Sequence, residues 1–338
     1  MAVFKDILTI KNGKNQKAVE NPQGRYPIYG SGGIMGYADS YICEPETVII
    51  GRKGNINNPI FCENYFWNID TAFGLVADKR SLLPKYLFYF CKNFDFQSLN
   101  TTVTIPSLTK TNLLNIHINL PSLSEQKRIA SILDKATELI ALRKQQIEQL
   151  DLLVKSRFTE MFGDPVCNNK CLPTIRGEEF FKLSNGKFIQ ESKRFKEGIP
   201  AYGGNGISWY TDDALCNEDT LVVGRVGFQS GNVHLAKAPL SVTDNAMYIS
   251  RYDKNKFDLL FLCSLMEQIN FTRYQDAGDL RKITQKPFMG MDYIFPPLSQ
   301  QKEYTAFVQQ VDKSKSTLQQ SLGKLELNYK ALMQTYFG

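Results

Sequence analysis

The sequence predicts an α+β protein built twice over. Two similar globular domains are separated by a long two-helix antiparallel coiled coil, with an internal pseudo-two-fold repeat. Three observations predict it. Residues recur in order at a nearly fixed offset over the whole chain. Each half opens with short β-branched runs punctuated by Gly, Asn and Pro. Each half closes on a long stretch of three- and four-residue apolar spacing that holds no proline.

The repeat is read directly. At an offset of 173 residues, Asn12-Gly13-Lys14 matches Asn185-Gly186-Lys187, and Tyr29-Gly30 matches Tyr202-Gly203. The same offset pairs Gly33-Ile34 with Gly206-Ile207, Gly51-Arg52 with Gly224-Arg225, and Gly54 with Gly227. At 174, Asp70 and Ala72 match Asp244 and Ala246; at 175, LSEQK from Leu123 matches LSQQK from Leu298, and Phe162-Gly163 matches Phe337-Gly338. The period is too long for a solenoid, so whole domains are duplicated. The expected boundaries are 1–120 for the first globular domain, 121–163 for the first long helix, 164–295 for the second domain and 296–338 for the second helix.

Within each domain, TVIIG (Thr47 to Gly51) and TLVVG (Thr220 to Gly224) are apolar, β-branched and glycine-ended, and read as buried strands. PKYLFYFCKN from Pro84 and FDLLFLCSLMEQI from Phe257 read as short apolar helices. The first long helix starts near PSLSEQ, where Ser122 or Ser124 can cap it. Its apolar positions are Ile129, Ile132, Leu133, Ala136, Leu139, Ile140, Ile147, Leu150, Val154, Phe158 and Met161. The second carries Phe307, Val308, Val311, Leu318, Leu322, Leu325, Tyr329, Leu332 and Tyr336. This is a coiled-coil seam, interrupted by one polar step in each helix, at Arg143 and at Ser314 or Lys315. Two helices lying on their own domains is the simpler alternative, but helices of that kind are far shorter.

Composition limits the function. The 338 residues carry a net charge of +6 with 43% hydrophobic residues, which permits a nucleic-acid partner without requiring one. Seven cysteines in no framework spacing suit a reducing compartment. Cys167 and Cys171 are spaced like half a zinc site, but a second pair nearby is missing and the chain has two histidines, His117 and His234. No run of 18 apolar residues and no signal-like N-terminus occur, so no membrane span or export is expected.

The glycine-rich YGSGGIMG from Tyr29 begins the spacing of a dinucleotide fingerprint at Gly30 and Gly32, but its sixth position is Met35. The copy reads Gly203, Asn205 and Ser208, and no Walker lysine follows either. Tight turns, or close approach of backbone to a large ligand, remain as explanations. Amino-methyltransferase and nuclease motifs are absent, and two isolated histidines do not make a catalytic centre, so no catalytic residue is expected.

What is present suits double-stranded DNA. GRKGNINN from Gly51 and its copy GRVGFQSGN from Gly224 are basic, amide-rich loops after a strand. Arg pairs with guanine and Asn or Gln with adenine through two hydrogen bonds each. TTVTIPSLTK from Thr101 and DAGDLRKITQK from Asp276 hold corresponding places before the long helices, and their hydroxyls and cations suit phosphates. A single basic loop is usually a solvated surface; loops at equivalent points of two copies suggest a two-site reader. The candidate DNA-binding residues are Tyr29, Ser31, Gly32, Arg52, Lys53, Asn55, Asn57, Thr102, Thr104 and Lys110 in the first copy. In the second they are Tyr202, Asn205, Arg225, Gln229, Arg281, Lys282 and Thr284.

LPSLSEQKRIASILDK, its echo PPLSQQKEYTAFVQQVDK, and RFTEMFGD closing the first helix resemble the specificity subunit of type I restriction-modification systems. The resemblance covers essentially the whole chain. It implies two target-recognition domains similar in fold to the DNA-reading domain of Taq-type adenine methyltransferases. Each reads one half of a bipartite target, and the rod sets the unread spacer. It implies two methyltransferase subunits, docked chiefly on the helices and domains and carrying S-adenosylmethionine. It also implies two motor-nuclease subunits using ATP and magnesium, no cofactor on this chain, and a prokaryotic cytoplasm. The competing readings are a coiled-coil scaffold that binds no DNA, a stand-alone modification enzyme, and a specificity chain of a type II-like or orphan system.

Overall fold

The structure is a computed structural model that describes residues 1–100, 105–276, 278 and 281–338. The chain divides into two compact units, Met1–Gln145 with Gln319–Gly338, and Gln146–Leu318. Its first half runs β1 (Ala2–Val3), α1 (Phe4–Ile7), β2 (Leu8–Asn12), β3 (Tyr26–Gly30), β4 (Gly33–Ala38), β5 (Thr47–Gly51), β6 (Ile60–Cys62), β7 (Trp67–Asn68), β8 (Ala72–Ala77), α2 (Pro84–Asn93), α3 (Lys110–Leu114), β9 (His117–Ile118) and the long α4 (Leu123–Phe162). The second half runs β10 (Thr174–Arg176), α5 (Gly177–Phe180), β11 (Phe181–Asn185), β12 (Ile199–Gly203), β13 (Gly206–Thr211), β14 (Thr220–Gly224), β15 (Val233–Ala236), β16 (Ser241–Val242), β17 (Ala246–Tyr252), α6 (Leu259–Ile269), α7 (Lys286–Met289), β18 (Asp292–Ile294) and the long α8 (Leu298–Phe337).

The strand orders repeat without exception. Sheets β2-β8-β5-β6, β4-β3-β7 and β1-β9 in the first half correspond to β11-β17-β14-β15, β13-β12-β16 and β10-β18 in the second. The apolar runs that lack polar alternation are buried on both faces. In β5, Val48 and Ile50 enter the large core with Phe4, Leu75 and Leu87, while Ile49 enters a small cluster with Cys43, Cys62 and Phe66. In β14, Leu221 and Val223 join the large core and Val222 joins Ala236, Leu240 and Val242.

Each long helix begins in one unit and ends in the other. In the first unit, Ile129 and Leu133 of α4 share the core with Met333 of α8, and Tyr329, Tyr336 and Phe337 pack against it. The Phe337 ring lies 5.1 Å from that of Tyr86 on α2. In the second unit, Phe158 and Phe162 of α4 close on Phe261 of α6 and Tyr304 of α8. Burying one such ring contributes about 2–3 kcal/mol. Thus the recurring Phe-Gly that ends each helix anchors it in the core of the unit it ends in.

The helix segments are antiparallel within each unit. Lys144 pairs with Glu326 at 2.9 Å and Arg128 lies over Tyr336 in the first. Arg157 pairs with Glu303 at 3.0 Å and Lys315 with Asp151 in the second. These solvent-accessible or half-buried pairs mark register and add little stability. Of the polar steps, Arg143 and Lys315 are half-buried and Ser314 is exposed.

One seam assignment is corrected. The half-buried residues step Ala136, Ile140, Arg143, Ile147, Leu150, Val154, whereas Leu139 is 50% exposed. One residue is about 100° around a helix, so Leu139 lies off the buried stripe, as does Leu142. On α8, Leu318, Leu322, Leu325 and Leu332 are half-buried. Replacing Leu325 by Asp places an unpaired carboxylate on the seam and is expected to lower unfolding free energy by about 2 kcal/mol. An unchanged denaturation midpoint would remove Leu325 from the seam.

The sequence LSEQK or LSQQK opens each long helix, and its second-last residue is a fully buried glutamine. Gln126 donates through Nε2 to the carbonyls of Ser81 at 2.8 Å and Pro121 at 2.9 Å, and its Oε1 accepts from the Leu83 amide at 2.8 Å. Gln301 does the same with Lys256, Pro296 and the Asp258 amide, each at 2.9 Å. Leu83 and Asp258 are the N-cap residues of α2 and α6. One side chain therefore ties the start of each long helix to the start of a short one. Of the two candidate serines, Ser122 caps α4, its Oγ accepting from the Glu125 amide at 3.3 Å.

Candidate nucleic-acid interface

Three segments meet in each unit. In the first unit, the β3–β4 hairpin pairs Gly30 with Gly33 across Ser31 and Gly32. Gly33 has φ +122°, the left-handed region that favours glycine. The hairpin tip sits on the loop after β5: a Cβ on Gly51 would fall 2.0 Å from the Asn55 carbonyl oxygen and 3.0 Å from Ser31 Cβ. The third segment lies along the same loop. The Arg52 carbonyl accepts from the Leu108 amide at 2.9 Å, and the Gly54 amide donates to the Pro106 carbonyl at 3.0 Å. Thr109 caps α3, so Lys110 opens that helix and is exposed.

The second unit repeats this closure. Gly203 pairs with Gly206 across Gly204 and Asn205, and Gly206 has φ +91°. A Cβ on Gly224 would lie 2.6 Å from the Gln229 carbonyl oxygen and 2.7 Å from that of Gly204. The Ile283 amide donates to the Arg225 carbonyl at 3.0 Å, and the Gly227 amide to the Arg281 carbonyl at 2.8 Å. The glycines recur because turn geometry and close packing of two loops both exclude a Cβ.

The two loop arginines are held alike. Arg52 Nη1 donates to the Asp70 carbonyl at 3.4 Å, and Arg225 Nη1 to the Asp244 carbonyl at 3.3 Å. A neutral carbonyl orients a guanidinium while leaving its charge for an anion. Arg52, Lys53 and Lys110 thus share one surface, and Arg225, Arg281 and Lys282 share the other. Asn55, Asn205 and Thr284 are exposed there.

Other candidates have partners within the chain. The Tyr29 ring packs edge-on against Phe66 at 5.4 Å, and burial with Cys62 alongside pushes its hydroxyl up to about 12. Tyr202 packs against the matching small cluster. Both are braces under the hairpins. The Asn57 amide donates to Asp95 Oδ1 at 2.9 Å and accepts from the Phe96 amide at 2.8 Å, which fixes the loop end. Gln229 accepts from the Asn232 amide group. Thr102 and Thr104 lie outside the described residues.

The sequence reading missed the Asp70 and Asp244 carbonyls, although their recurrence was the available signal. It also missed Gln275, whose Nε2 donates to the carbonyls of Phe228 at 3.1 Å and Ser230 at 2.6 Å and so braces the Arg225 loop. Among the described residues, no group of three or more His, Cys, Asp or Glu could hold a metal ion. No helix among them is long and apolar enough to cross a membrane.

Two copies of one module, each gathering cations on braced loops, define a tandem-repeat protein. The chain belongs to the family described as the type I restriction modification DNA specificity domain, which it matches twice, over residues 3–152 and 174–327. It is 25% identical over 270 residues to a putative type I restriction enzyme specificity subunit of Methanocaldococcus jannaschii. That alignment covers 70% of this chain and 63% of the archaeal protein, less than two thirds of its length. The fold is that of the type I restriction-modification S subunit from M. genitalium, with a TM-score of 0.72, 17% identity, and coverage of 100% of this chain and 95% of that one. A second structure, from work on complex assembly and conformational transition of the type I restriction-modification system, gives a TM-score of 0.60 at 16% identity, covering 99% and 96%.

Proposed function

We propose that this chain is the non-catalytic DNA-specificity subunit of a type I restriction-modification enzyme, each unit reading one half of a bipartite target. One observation carries the reading. The same three-segment surface, with an arginine oriented by a backbone carbonyl, is built twice in a chain whose two halves both match a DNA specificity domain. α4 and α8, about 60 Å each at 1.5 Å per residue, set the unread spacer between the half-sites. The expected domain boundaries, 1–120, 121–163, 164–295 and 296–338, follow the same division of labour.

Two methyltransferase subunits bring S-adenosylmethionine, and two motor-nuclease subunits bring ATP and magnesium, in a prokaryotic cytoplasm. Exposed leucines support docking on the helices: Leu139 and Leu142 in the first unit, Leu152 and Leu153 in the second. Exchanging residues 1–120 for those of another family member is expected to change one half of the methylated adenine motif and leave the other intact. Mapping methylated adenines genome-wide reads this directly. A change in both halves, or in neither, would sink the modular assignment.

A further inference from the structure

The two surfaces differ at one position in a way that charge alone does not explain. Phe228 follows Gly227 as Asn55 follows the matching Gly54 of the first unit, and it is 74% exposed, the most exposed aromatic side chain among the described residues. Singly exposed apolar residues are ordinary. This one is displayed by a turn held by its own hydrogen bond and by Gln275. The Ser230 amide donates to the Gly227 carbonyl at 3.0 Å, Gly227 has φ +93°, and Gln275 holds the carbonyls of Phe228 and Ser230. The Arg281 guanidinium lies 5.0 Å from the centre of the ring, and Gln275 Oε1 accepts from Arg281 Nη1 at 3.4 Å. The first unit has Pro106 at the position of Arg281, so it has neither ring nor cation there.

We infer that Phe228 is a specificity-determining residue of the second unit, its ring packing on a thymine 5-methyl group in the major groove while Arg281 beside it takes a phosphate. This deepens, and rests on, the DNA-reading function proposed above. The chemistry of the groove selects the partner. Most major-groove features of a base pair are hydrogen-bond donors or acceptors, and the thymine methyl is the bulky apolar group. A rigid turn bearing an uncharged ring among Arg225, Arg281 and Lys282 is drawn to a polyanion yet offers that polyanion an apolar contact. Asn55, which follows the matching Gly54 in the first unit, offers hydrogen bonds instead, so the two half-sites are read by different chemistry.

The test uses the full chain with its co-purified partner subunits and a duplex carrying its methylated motif. Uracil, which lacks only the methyl group, replaces each thymine of the half-site assigned to the second unit. The parent complex is expected to lose about fourfold in affinity at one position, the value of one buried methyl-sized group. Phe228→Ala is expected to lose about tenfold on the thymine duplex and to be indifferent to uracil there, to within about twofold. Phe228→Leu, which keeps an apolar side chain, is expected to retain part of the discrimination. The slope of log affinity against log salt is expected to stay unchanged in Phe228→Ala and to fall by about one in Arg281→Ala. If Phe228→Ala weakens binding with no uracil penalty anywhere in the parent, the ring is a wedge between base steps and the methyl contact is overturned. If Phe228→Ala binds and methylates as the parent does, the ring is not at the interface. If the parent complex shows no salt-dependent duplex binding at all, the DNA-reading function itself falls, and the inference with it.

Discussion

Chains carrying Gln126→Glu or Gln301→Glu are expected to acquire a pH-dependent stability deficit, close to the parent near pH 4 and about 3–5 kcal/mol below it by pH 8. The substitution keeps shape and volume. It also keeps the oxygen that accepts from Leu83 or Asp258, but it turns the donor of two hydrogen bonds into a second acceptor facing two carbonyl oxygens. A fully buried carboxylate there meets no cation among the glutamine's hydrogen-bond partners in the described residues, so the folded chain favours the neutral acid, which can donate to one carbonyl. The folded-state pKa is therefore raised above the unfolded value of about 4.3. The unfolded chain then binds fewer protons than the folded one, so stability is fully present below the unfolded pKa and is lost as pH rises towards the folded one. Urea unfolding followed by circular dichroism, with parent and variant compared at each pH, measures the difference. A Gln301→Met chain, which strands two carbonyls and an amide without a titrating group, is expected to lose a similar amount at every pH. A pH-flat deficit in the glutamate variants would mean that the site is wetter or looser than the three hydrogen bonds imply.

That clamp also shows where sequence reasoning stops. The LSEQK repeat was plain, and it marked the helix start, but its glutamine joins partners more than forty residues away in sequence. Nothing in a local pattern says which backbone groups will need a partner once two helix starts meet. The strands β5 and β14 were legible because burial on both faces leaves no polar position. The helices were legible because one stripe must stay apolar over many turns. Leu139 failed because Ala136-Leu139-Arg143 and Ala136-Ile140-Arg143 both fit alternating three- and four-residue steps, and only packing chooses between them. The loops were found because each occurs twice, and the structure brings hairpin tip, post-strand loop and pre-helix segment together in both copies. Tyr29 and Asn57 show a further limit, since a residue type suited to DNA is equally suited to bracing a hairpin or ending a loop, and both have such partners within the chain.

Arg52→Ala and Arg225→Ala are each expected to reduce methylation of the target, measured as kcat/KM in the assembled enzyme, by at least about tenfold. Each guanidinium is held by the Asp70 or Asp244 carbonyl on one side, while its loop is fixed to the pre-helix segment through the arginine's own carbonyl. Fixed orientation matters for a planar fork that must meet two acceptors at once, and much less for a point charge. Lysine substitution separates the two roles. If the arginines read a guanine edge, Arg52→Lys and Arg225→Lys stay as impaired as the alanine variants, and each relaxes sequence preference in its own half-site only. If they hold phosphates, lysine restores binding, and the alanine variants instead lose about one unit of the salt slope with no change in preference. The matched carbonyl anchors favour the first outcome, since a phosphate contact needs no such aim. An unchanged motif, unchanged methylation and unchanged salt slope in both alanine variants would remove the arginine loops from the DNA surface.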